Sequence, residues 1–523
     1  MWLDSLLSAL PDVRFRVNMK APHTMVKGVH VDSRRVVPGS VFVAVRGTHQ
    51  DGRRFIADAL DRGAVAIVAD EPPDEGIAPG MPFVLVDDAR AAAGRLADRF
   101  FGEPSASVAT IGVTGTNGKT TTAWLVATIL GHAGDRPGML GTIGLRTPAR
   151  NEKAGTTTPD PVTIHEALAE VRDGGGRTAV MEVSSHALDQ RRAAGVRFGT
   201  AIFTNLTGDH LDYHGDMDGY AAAKRRLFEL LPASGLAVIN ARDPRALEMA
   251  RASAAPIVFF GIEGEAPADP AIRPAVTARI IRRSLEGTLF TLCLKDGGVE
   301  VPVQLPLVGR HNVENALAAV AAARRAGVAV EQIVDGLQRA STVPGRLERV
   351  SPPGGPAVLV DYAHTDDALS RVLQAVRPLA TGKLAVVFGC GGDRDRTKRP
   401  RMAAVAERFA DVAIVTSDNP RGEDPEAIIA DVCAGFCDPA RHVTEVDRAA
   451  AIRRGVREVT GPGDVLLIAG KGHEDYQLIG GRTIAFDDRR EARRAMAEAW
   501  DGQAPEVAIR AASDQFRSRS AAG

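Results

Sequence analysis

The sequence predicts an α/β protein of three modules, a small α/β unit followed by two units built on mostly parallel sheets. Three observations predict it. A chain of 523 residues is too long for one hydrophobic core and suggests about three domains. Short apolar runs rich in β-branched residues alternate with helical patterns, as expected of sheets with crossover helices. One such run, Val108 to Val113, leads through Gly112-Val-Thr-Gly-Thr-Asn-Gly-Lys-Thr-Thr-Thr122 into an apolar helical pattern from Ala123 to Leu130. Strand, Gly-rich turn and helix together form the geometry that cradles a nucleoside triphosphate. The glycines let backbone N–H groups approach the phosphates, Lys119 supplies a mobile cation, and the Thr120 hydroxyl can ligate Mg²⁺. The general pattern places a Gly five positions before Gly118, where Val113 stands, so this is a shorter variant, Gly-Thr-Asn-Gly-Lys-Thr.

The elements follow in chain order. Residues 1–106 alternate strands (Ser40 to Val45, Val65 to Ala69, Phe83 to Val86) with helical stretches (Arg54 to Arg62, Ala89 to Phe100), and Gly102-Glu-Pro-Ser105 reads as a linker. Residues 107–342 carry the phosphate loop and further strands at Ala179 to Val183, Ala201 to Asn205 and Leu236 to Asn240. From Ala278 to Leu305 the period drops to two with Gly turns, which predicts hairpins at a sheet edge, and His311 to Ala326 is Ala-rich and helical. Residues 343–501 give strands at Ala357 to Asp361, Leu384 to Phe388, Val412 to Thr416 and Val465 to Ala469, a Rossmann-like doubly wound unit with ligand contacts expected at its C-terminal strand ends. Residues 502–523 read as a disordered tail.

A formal net charge of −1 argues against duplex nucleic acid or an anionic membrane as a bulk electrostatic partner. No apolar run approaches the roughly 18 residues of a membrane span. The first residues, Met-Trp-Leu-Asp, lack the basic segment of a signal peptide. The four cysteines (Cys293, Cys390, Cys433, Cys437) show no Cys-x-x-Cys pair, and Cys433 and Cys437 fit core packing on one helix. These features lead to the expectation of a cytoplasmic protein.

Three clusters fall at strand ends of the middle module. Glu182-Val-Ser-Ser-His186 offers an acidic Mg²⁺ partner for the phosphate loop, or else a solvated strand end. Asp209-His-Leu-Asp-Tyr-His214 packs two His and two Asp into six residues, with His210 a candidate second-metal ligand. Tyr220-Ala-Ala-Ala-Lys224 would by itself be ordinary helix surface.

Taken together, Gly115-Thr-Asn-Gly-Lys-Thr-Thr121, Glu182-Val-Ser-Ser-His186, Asn205 to Asp216, Tyr220 to Lys224, Gly309-Arg-His-Asn-Val-Glu-Asn315, Pro344-Gly-Arg-Leu-Glu348 and Asp361-Tyr-Ala-His-Thr365 resemble the Mur ligase family, the ATP-dependent amide-forming ligases of peptidoglycan precursor synthesis. The resemblance runs in family order over residues 30–480. It implies that a substrate carboxylate attacks the ATP γ-phosphate to give an acyl phosphate, which an amine then converts to an amide. It implies ATP contacts from Gly115, Thr116, Asn117, Gly118, Lys119, Thr120, Thr121, Asn312, Arg346 and Asp361. Mg²⁺ would be held by Thr120, Glu182, His210 and Lys224, the last as an N-carboxylated lysine, and Lys119, Lys224 and His210 would carry the chemistry. The site would close only when domains approach. The family also leans toward a monomer.

The resemblance further implies that the first module captures a UDP-sugar, through Val31-Asp-Ser33-Arg and Gly47-Thr-His49-Gln50, and that Thr157, Thr158, Ser184, Gln190 and Arg192 hold a muramoyl dipeptide, UDP-N-acetylmuramoyl-L-alanyl-D-glutamate. Thr156 stands where the family often has Asn. In the third module Arg394, Asp418-Asn419-Pro420-Arg421, Gly470 and Glu474 offer two guanidinium clamps and a carboxylate, which suits an amino acid with a second amine and a second carboxylate, meso-diaminopimelate. Asp-Asn-Pro-Arg resembles the signature of the diaminopimelate-adding members, and Arg421 is the expected selector against lysine. A lysine-adding ligase or a folylpolyglutamate synthase-like enzyme are the alternatives, the latter opposed by the separate module ahead of the phosphate loop. A phosphoryl-transfer enzyme or nucleotide-gated binding protein that forms no amide is a third.

Overall fold

The structure, a computed structural model, describes residues 1–17, 24–47, 50–73, 80, 82–153 and 155–500. The expected tail 502–523 and His49 lie outside the described residues. The chain forms two compact units. The first holds Met1–Arg282, Leu289–Leu305 and His311–Ala340, and the second holds Arg283–Thr288, Pro306–Arg310 and the chain from Ser341 onward.

The first unit contains two sheets. The smaller runs Val13–Val17, Phe83–Val86, Ala66–Ala69, Ser40–Val43, Gly28–His30, and is parallel except for its first strand. Asp88 caps the helix Ala89–Phe100 by accepting N–H bonds from Arg90 and Ala91. That helix packs on Pro161–Asp173 of the larger sheet's layer, where His165 is fully buried and bonds Ala194 O at 3.0 Å. The segment read as a linker is therefore a packed turn. Pro104–Ala106 is a 3₁₀ turn and the buried Ser105 hydroxyl accepts the Arg197 N–H at 3.2 Å.

The larger sheet has eleven strands, with Ala109–Thr114 near its middle between Phe198–Phe203 and Thr178–Glu182. All three are parallel. Their near-continuous aliphatic sequences fit burial on both faces, since helices cover both sides of such sheets. The period-two region forms Val276–Ser284, Gly287–Leu294 and Val299–Leu305 at one edge, as expected.

The second unit is built on a six-stranded sheet ordered Glu348–Arg349, Ala357–Asp361, Val465–Ala469, Leu384–Phe388, Val412–Thr416, His442–Glu445, parallel apart from the first strand. Two expectations need correction. The stretch Arg54 to Arg62 is not one helix: Asp51 caps a 3₁₀ turn, Gly52–Phe55, and only Ile56–Asp61 is α-helical. The helix Pro425–Cys433 stops at Cys433, so the exposed Cys437 lies beyond it and packs in no helix core.

Candidate active site

The phosphate loop joins Ala109–Thr114 to the helix Lys119–His132. Gly115 (φ 148°) and Gly118 (φ 86°) take backbone angles that other residues rarely adopt. A Cβ on Gly115 would sit 1.9 Å from Thr204 Oγ1, and one on Gly118 would sit 2.4 Å from Asn315 Oδ1. The loop is braced from the strand Phe198–Phe203: Asn117 N donates to Asn205 Oδ1 at 3.0 Å and Thr204 Oγ1 donates to Asn117 O at 2.6 Å. Thr116 Oγ1 donates to Thr207 O and accepts from Thr207 N. Lys119 Nζ lies back along the loop, donating to Gly115 O at 2.8 Å and Thr116 O at 2.9 Å. Asn312 and Asn315 are buried beside it, with Asn315 Nδ2 donating to Asn312 Oδ1 at 3.0 Å. Thr121 is buried in the first turn.

Glu182 ends the strand Thr178–Glu182 and is fully buried. Its Oε2 accepts from Thr120 Oγ1 at 2.9 Å, and its Oε1 from Thr142 N at 2.7 Å. Glu182 is thus a buried group hydrogen-bonded to Thr120, not a solvated strand end. Lys224 is the larger surprise. On the helix Met217–Glu229 it is 1% exposed, and its Nζ donates to Gly115 O at 2.9 Å and lies 4.3 Å from the Tyr220 ring centre. Burial, and secondarily the charge of Lys119, hold its amine well below the usual lysine range against the opposing pull of Asp209.

His210 stands in left-handed conformation at the start of the short helix Leu211–His214. Its ring is half exposed and packs edge-on against His186 with centres 4.8 Å apart. His186 also meets Tyr213 and His214, and burial holds its imidazole at about 4, so it is neutral at pH 7. Thr158, Ser184, Gln190 and Arg192 form one network. Thr158 Oγ1 accepts from Ser184 N at 3.0 Å, and Arg192 donates to Thr158 O at 3.0 Å and to Gln190 Oε1 at 2.6 Å. Thr157 joins through Thr142 Oγ1 at 3.3 Å. Ser33 is buried in the Asp32-capped turn Ser33–Arg35, and Gln50 is exposed.

In the second unit, Asp361 is buried with Oδ2 accepting Leu347 N at 2.7 Å and Oδ1 accepting Ala363 N at 2.8 Å. Its carboxylate thus holds the Arg346 turn, and burial pushes its pKa up. The Arg346 guanidinium lies 4.9 Å from the Tyr362 ring centre, and among the described residues its buried Nε finds no hydrogen-bond partner. Asp418, Asn419, Arg421 and Glu474 come together. Asn419 Nδ2 donates to Glu474 Oε2 at 3.0 Å. Arg421 (φ 55°) donates through Nη1 to Gly392 O at 2.7 Å. Its backbone is stitched to the strand Tyr476–Ile479 by Arg421 N to Leu478 O and Gly480 N to Arg421 O, both 2.9 Å. Gly470 follows the strand Val465–Ala469 and donates to Asp361 O at 3.1 Å. Pro420 carries the turn between Asn419 and Arg421, while the Arg394 side chain is exposed and, among the described residues, bonds only its neighbour's carbonyl, Asp393 O, at 3.2 Å. Sequence reasoning passed over Lys471, which is fully buried among these groups. Its only signal is its place after an all-apolar strand, between two glycines.

Models of three Mur ligase domains match the chain: "Mur ligase family, catalytic domain" over residues 25–101, "Mur ligase middle domain" over 113–323 and "Mur ligase, glutamate ligase domain" over 345–472. The chain belongs to the Mur ligase family. Among curated relatives, the UDP-N-acetylmuramoyl-L-alanyl-D-glutamate–2,6-diaminopimelate ligase of Geobacter metallireducens is 44% identical over 495 residues, covering 90% of this chain and 94% of that one. The Synechococcus elongatus protein of the same name is 43% identical over 509 residues, covering 95% and 99%. A solved structure bearing that ligase name superposes with TM-score 0.69 at 34% identity, over 95% of this chain and 99% of that one. The Mycobacterium tuberculosis folylpolyglutamate synthase (TM-score 0.57, 22% identity, 73% of this chain and 92% of that one) shares the fold. Among the described residues, no helix is long and apolar enough to cross a membrane.

Proposed function

We propose that this Mur ligase joins meso-diaminopimelate to UDP-N-acetylmuramoyl-L-alanyl-D-glutamate at the expense of ATP, acting in the cytoplasm as a monomer. The observation that carries the amine-donor assignment is the Asp418–Arg421 turn. It tethers one guanidinium, Arg421, to Gly392 O, and through Asn419 Nδ2 it holds one carboxylate, Glu474. A guanidinium for a carboxylate and a carboxylate for an ammonium suit the distal end of a diamino diacid, whereas lysine has no distal carboxylate to be held.

In the reaction, the D-glutamyl carboxylate oxygen attacks the γ-phosphorus of ATP and ADP leaves. The amine nitrogen then attacks the acyl carbon, inorganic phosphate leaves, and the amine gives up a proton. Lys119 and the N–H groups of residues 115–121 hold the phosphates. The Thr157, Thr158, Ser184, Gln190 and Arg192 network is the cradle for the peptide carboxylate, with Ser33, His49 and Gln50 on the uridine side. The Arg346 guanidinium, whose Nε has no partner among the described residues, suits an anionic phosphate, and Asp361 supports it through the turn. Asn312 faces the base.

The residues fit Mg²⁺. Thr120 Oγ1 and the buried Glu182 offer a hydroxyl and a carboxylate oxygen already in register. Among the described residues no three His, Cys, Asp or Glu converge on a metal by themselves. Mg²⁺ supplies charge neutralisation between the attacking carboxylate and the triphosphate. Lys224, whose amine burial holds well below the usual lysine range, can in its neutral form attack CO₂ to give a carbamate with loss of one proton, an anion that could ligate a metal, and His210 would complete a second metal position.

The test is a phosphate-release assay with ATP, the UDP-muramoyl dipeptide and a panel of amino acids. Turnover with meso-diaminopimelate and at least tenfold poorer kcat/KM with L-lysine is expected. Equal or better use of lysine overturns the specificity, and full-rate ATP hydrolysis without any amino acid overturns the ligase reading.

A further inference from the structure

Lys471 is 0% exposed at the head of the loop that follows Val465–Ala469. Its Nζ reaches Asn419 Oδ1 at 3.1 Å, Glu474 Oε2 at 3.1 Å and Asp418 Oδ1 at 3.5 Å. These partners belong to two loops separated by about fifty residues of chain, each following a different buried parallel strand. One ammonium group therefore ties together the side chains assigned to the incoming amino acid.

The hydrogen-bond inventory shows what this tie decides. Asn419 Oδ1 accepts from both Lys471 Nζ and Leu478 N, the latter at 3.0 Å. With two donors on that atom, the carbamoyl group has one orientation, which aims Nδ2 at Glu474 Oε2. Glu474 Oε2 in turn takes Asn419 Nδ2 and Lys471 Nζ, and among the described residues Oε1 has only the long 3.4 Å contact from the Tyr362 hydroxyl. One carboxylate oxygen is thus consumed by the protein, and the other keeps a lone pair for a ligand. Two carboxylates, Asp418 and Glu474, would repel in this buried place without the cation between them. With it, Lys471, Asp418 and Glu474 together carry a formal charge of −1, which suits an ammonium.

We infer that Lys471 is a positioning residue for the amine donor. It fixes the Asn419 amide and the Glu474 carboxylate so that Glu474 Oε1 receives the ammonium of the incoming amino acid, and it sets the cluster's charge for a single cation. This deepens the diaminopimelate reading and rests on it. Lys471 is wholly enclosed by protein and acts through Asn419 and Glu474.

The experiment is steady-state kinetics of the full chain with Lys471→Met, a neutral side chain of similar length, and of Lys471→Met combined with Asp418→Asn, which restores the cluster's charge. Unfolding midpoints are recorded alongside. Loss of hydrogen bonds from a charged donor corresponds to roughly ten- to a hundredfold. The KM for meso-diaminopimelate should rise by that factor in Lys471→Met, with the KM values for ATP and the UDP-muramoyl dipeptide within twofold of wild type. The double variant should recover part of that loss. An unchanged diaminopimelate KM, or a uniform rise in all three, overturns the inference and leaves Lys471 a packing residue. If Lys471→Met does not fold, the same KM split is required of the double variant, and failure of both to fold also overturns it. Wild-type enzyme that does not use meso-diaminopimelate at all would instead refute the substrate assignment.

Discussion

An amine whose charged form burial disfavours should cost the apoprotein stability, and Lys224 provides the test. Its Nζ is enclosed, donates one bond to Gly115 O and feels Lys119, with Asp209 the opposing charge. Because its pKa is lowered on folding, the unfolded chain binds a proton that the folded chain does not. Stability attributable to this residue therefore rises with pH between the folded-state value and about 10.4, at about 1.4 kcal/mol per unit. Taken down to pH 7.4 the cost has an upper bound of about 4 kcal/mol, reached if the amine stays neutral throughout. Lys224→Met removes that cost and forfeits one hydrogen bond, worth about 1 kcal/mol. Gly115 O is not orphaned, since Lys119 Nζ still donates to it at 2.8 Å. The variant should be more stable by roughly 1–3 kcal/mol, or about 2–5 °C in midpoint, while ligase turnover is lost. The assay is thermal unfolding at pH 7, 8 and 9 in buffer free of Mg²⁺ and bicarbonate. The gap should narrow as pH rises. A variant less stable than wild type at pH 7, or a gap indifferent to pH, refutes the reasoning.

Three further outcomes follow from named contacts. Arg421→Ala should raise the KM for meso-diaminopimelate roughly ten- to a hundredfold and narrow the preference over lysine, with the ATP KM unchanged, as read by the amino-acid panel. Gly115→Ala forces a Cβ to within 1.9 Å of Thr204 Oγ1 at φ 148°, so nucleotide binding measured by calorimetry should fall at least tenfold. Arg448 and Asp488 form a fully buried pair at 2.7 Å, with Arg448 also donating to Ser417 O and Ala469 O at the ends of the two strands that lead into the Asp418 and Gly470 loops. Arg448→Met should cost about 3–5 kcal/mol in urea unfolding, much of it recovered by adding Asp488→Asn.

The sequence was most legible where strands are buried on both faces. Leu236–Asn240, Ala357–Asp361, Leu384–Phe388, Val412–Thr416 and Val465–Ala469 coincide with the expected runs residue for residue. In such strands every side chain meets a helix layer, so the apolar run and the strand have the same ends. The amino-terminal region was harder to read. Val13–Val17 alternates Val, Arg, Phe, Arg, Val on an antiparallel edge with a register shift, and the helix Leu3–Leu7 has no side-chain cap. Of the site, the phosphate loop was legible because its chemistry lies within consecutive residues. Glu182 was left ambiguous because its partners, Thr120 and Thr142, are 62 and 40 positions away.

The two buried lysines show why the remainder could not be read locally. Each looks like ordinary surface chemistry in its own segment, and each is enclosed by residues distant in sequence: Lys224 meets Gly115 across 109 positions, and Lys471 meets Asn419 across 52. Their partners then separate them. Lys224 has one carbonyl and a neighbouring cation, while Lys471 has two carboxylates and an amide oxygen. The same substitution should therefore move stability in opposite directions. Lys224→Met removes an amine whose charged form burial disfavours, and stabilises the apoprotein. Lys471→Met strands Asp418 and Glu474 without their shared cation, and should destabilise by roughly 2–4 kcal/mol. Matching midpoint shifts of the same sign would mean that burial alone, and not the identity of the partners, sets what a lysine does in this chain.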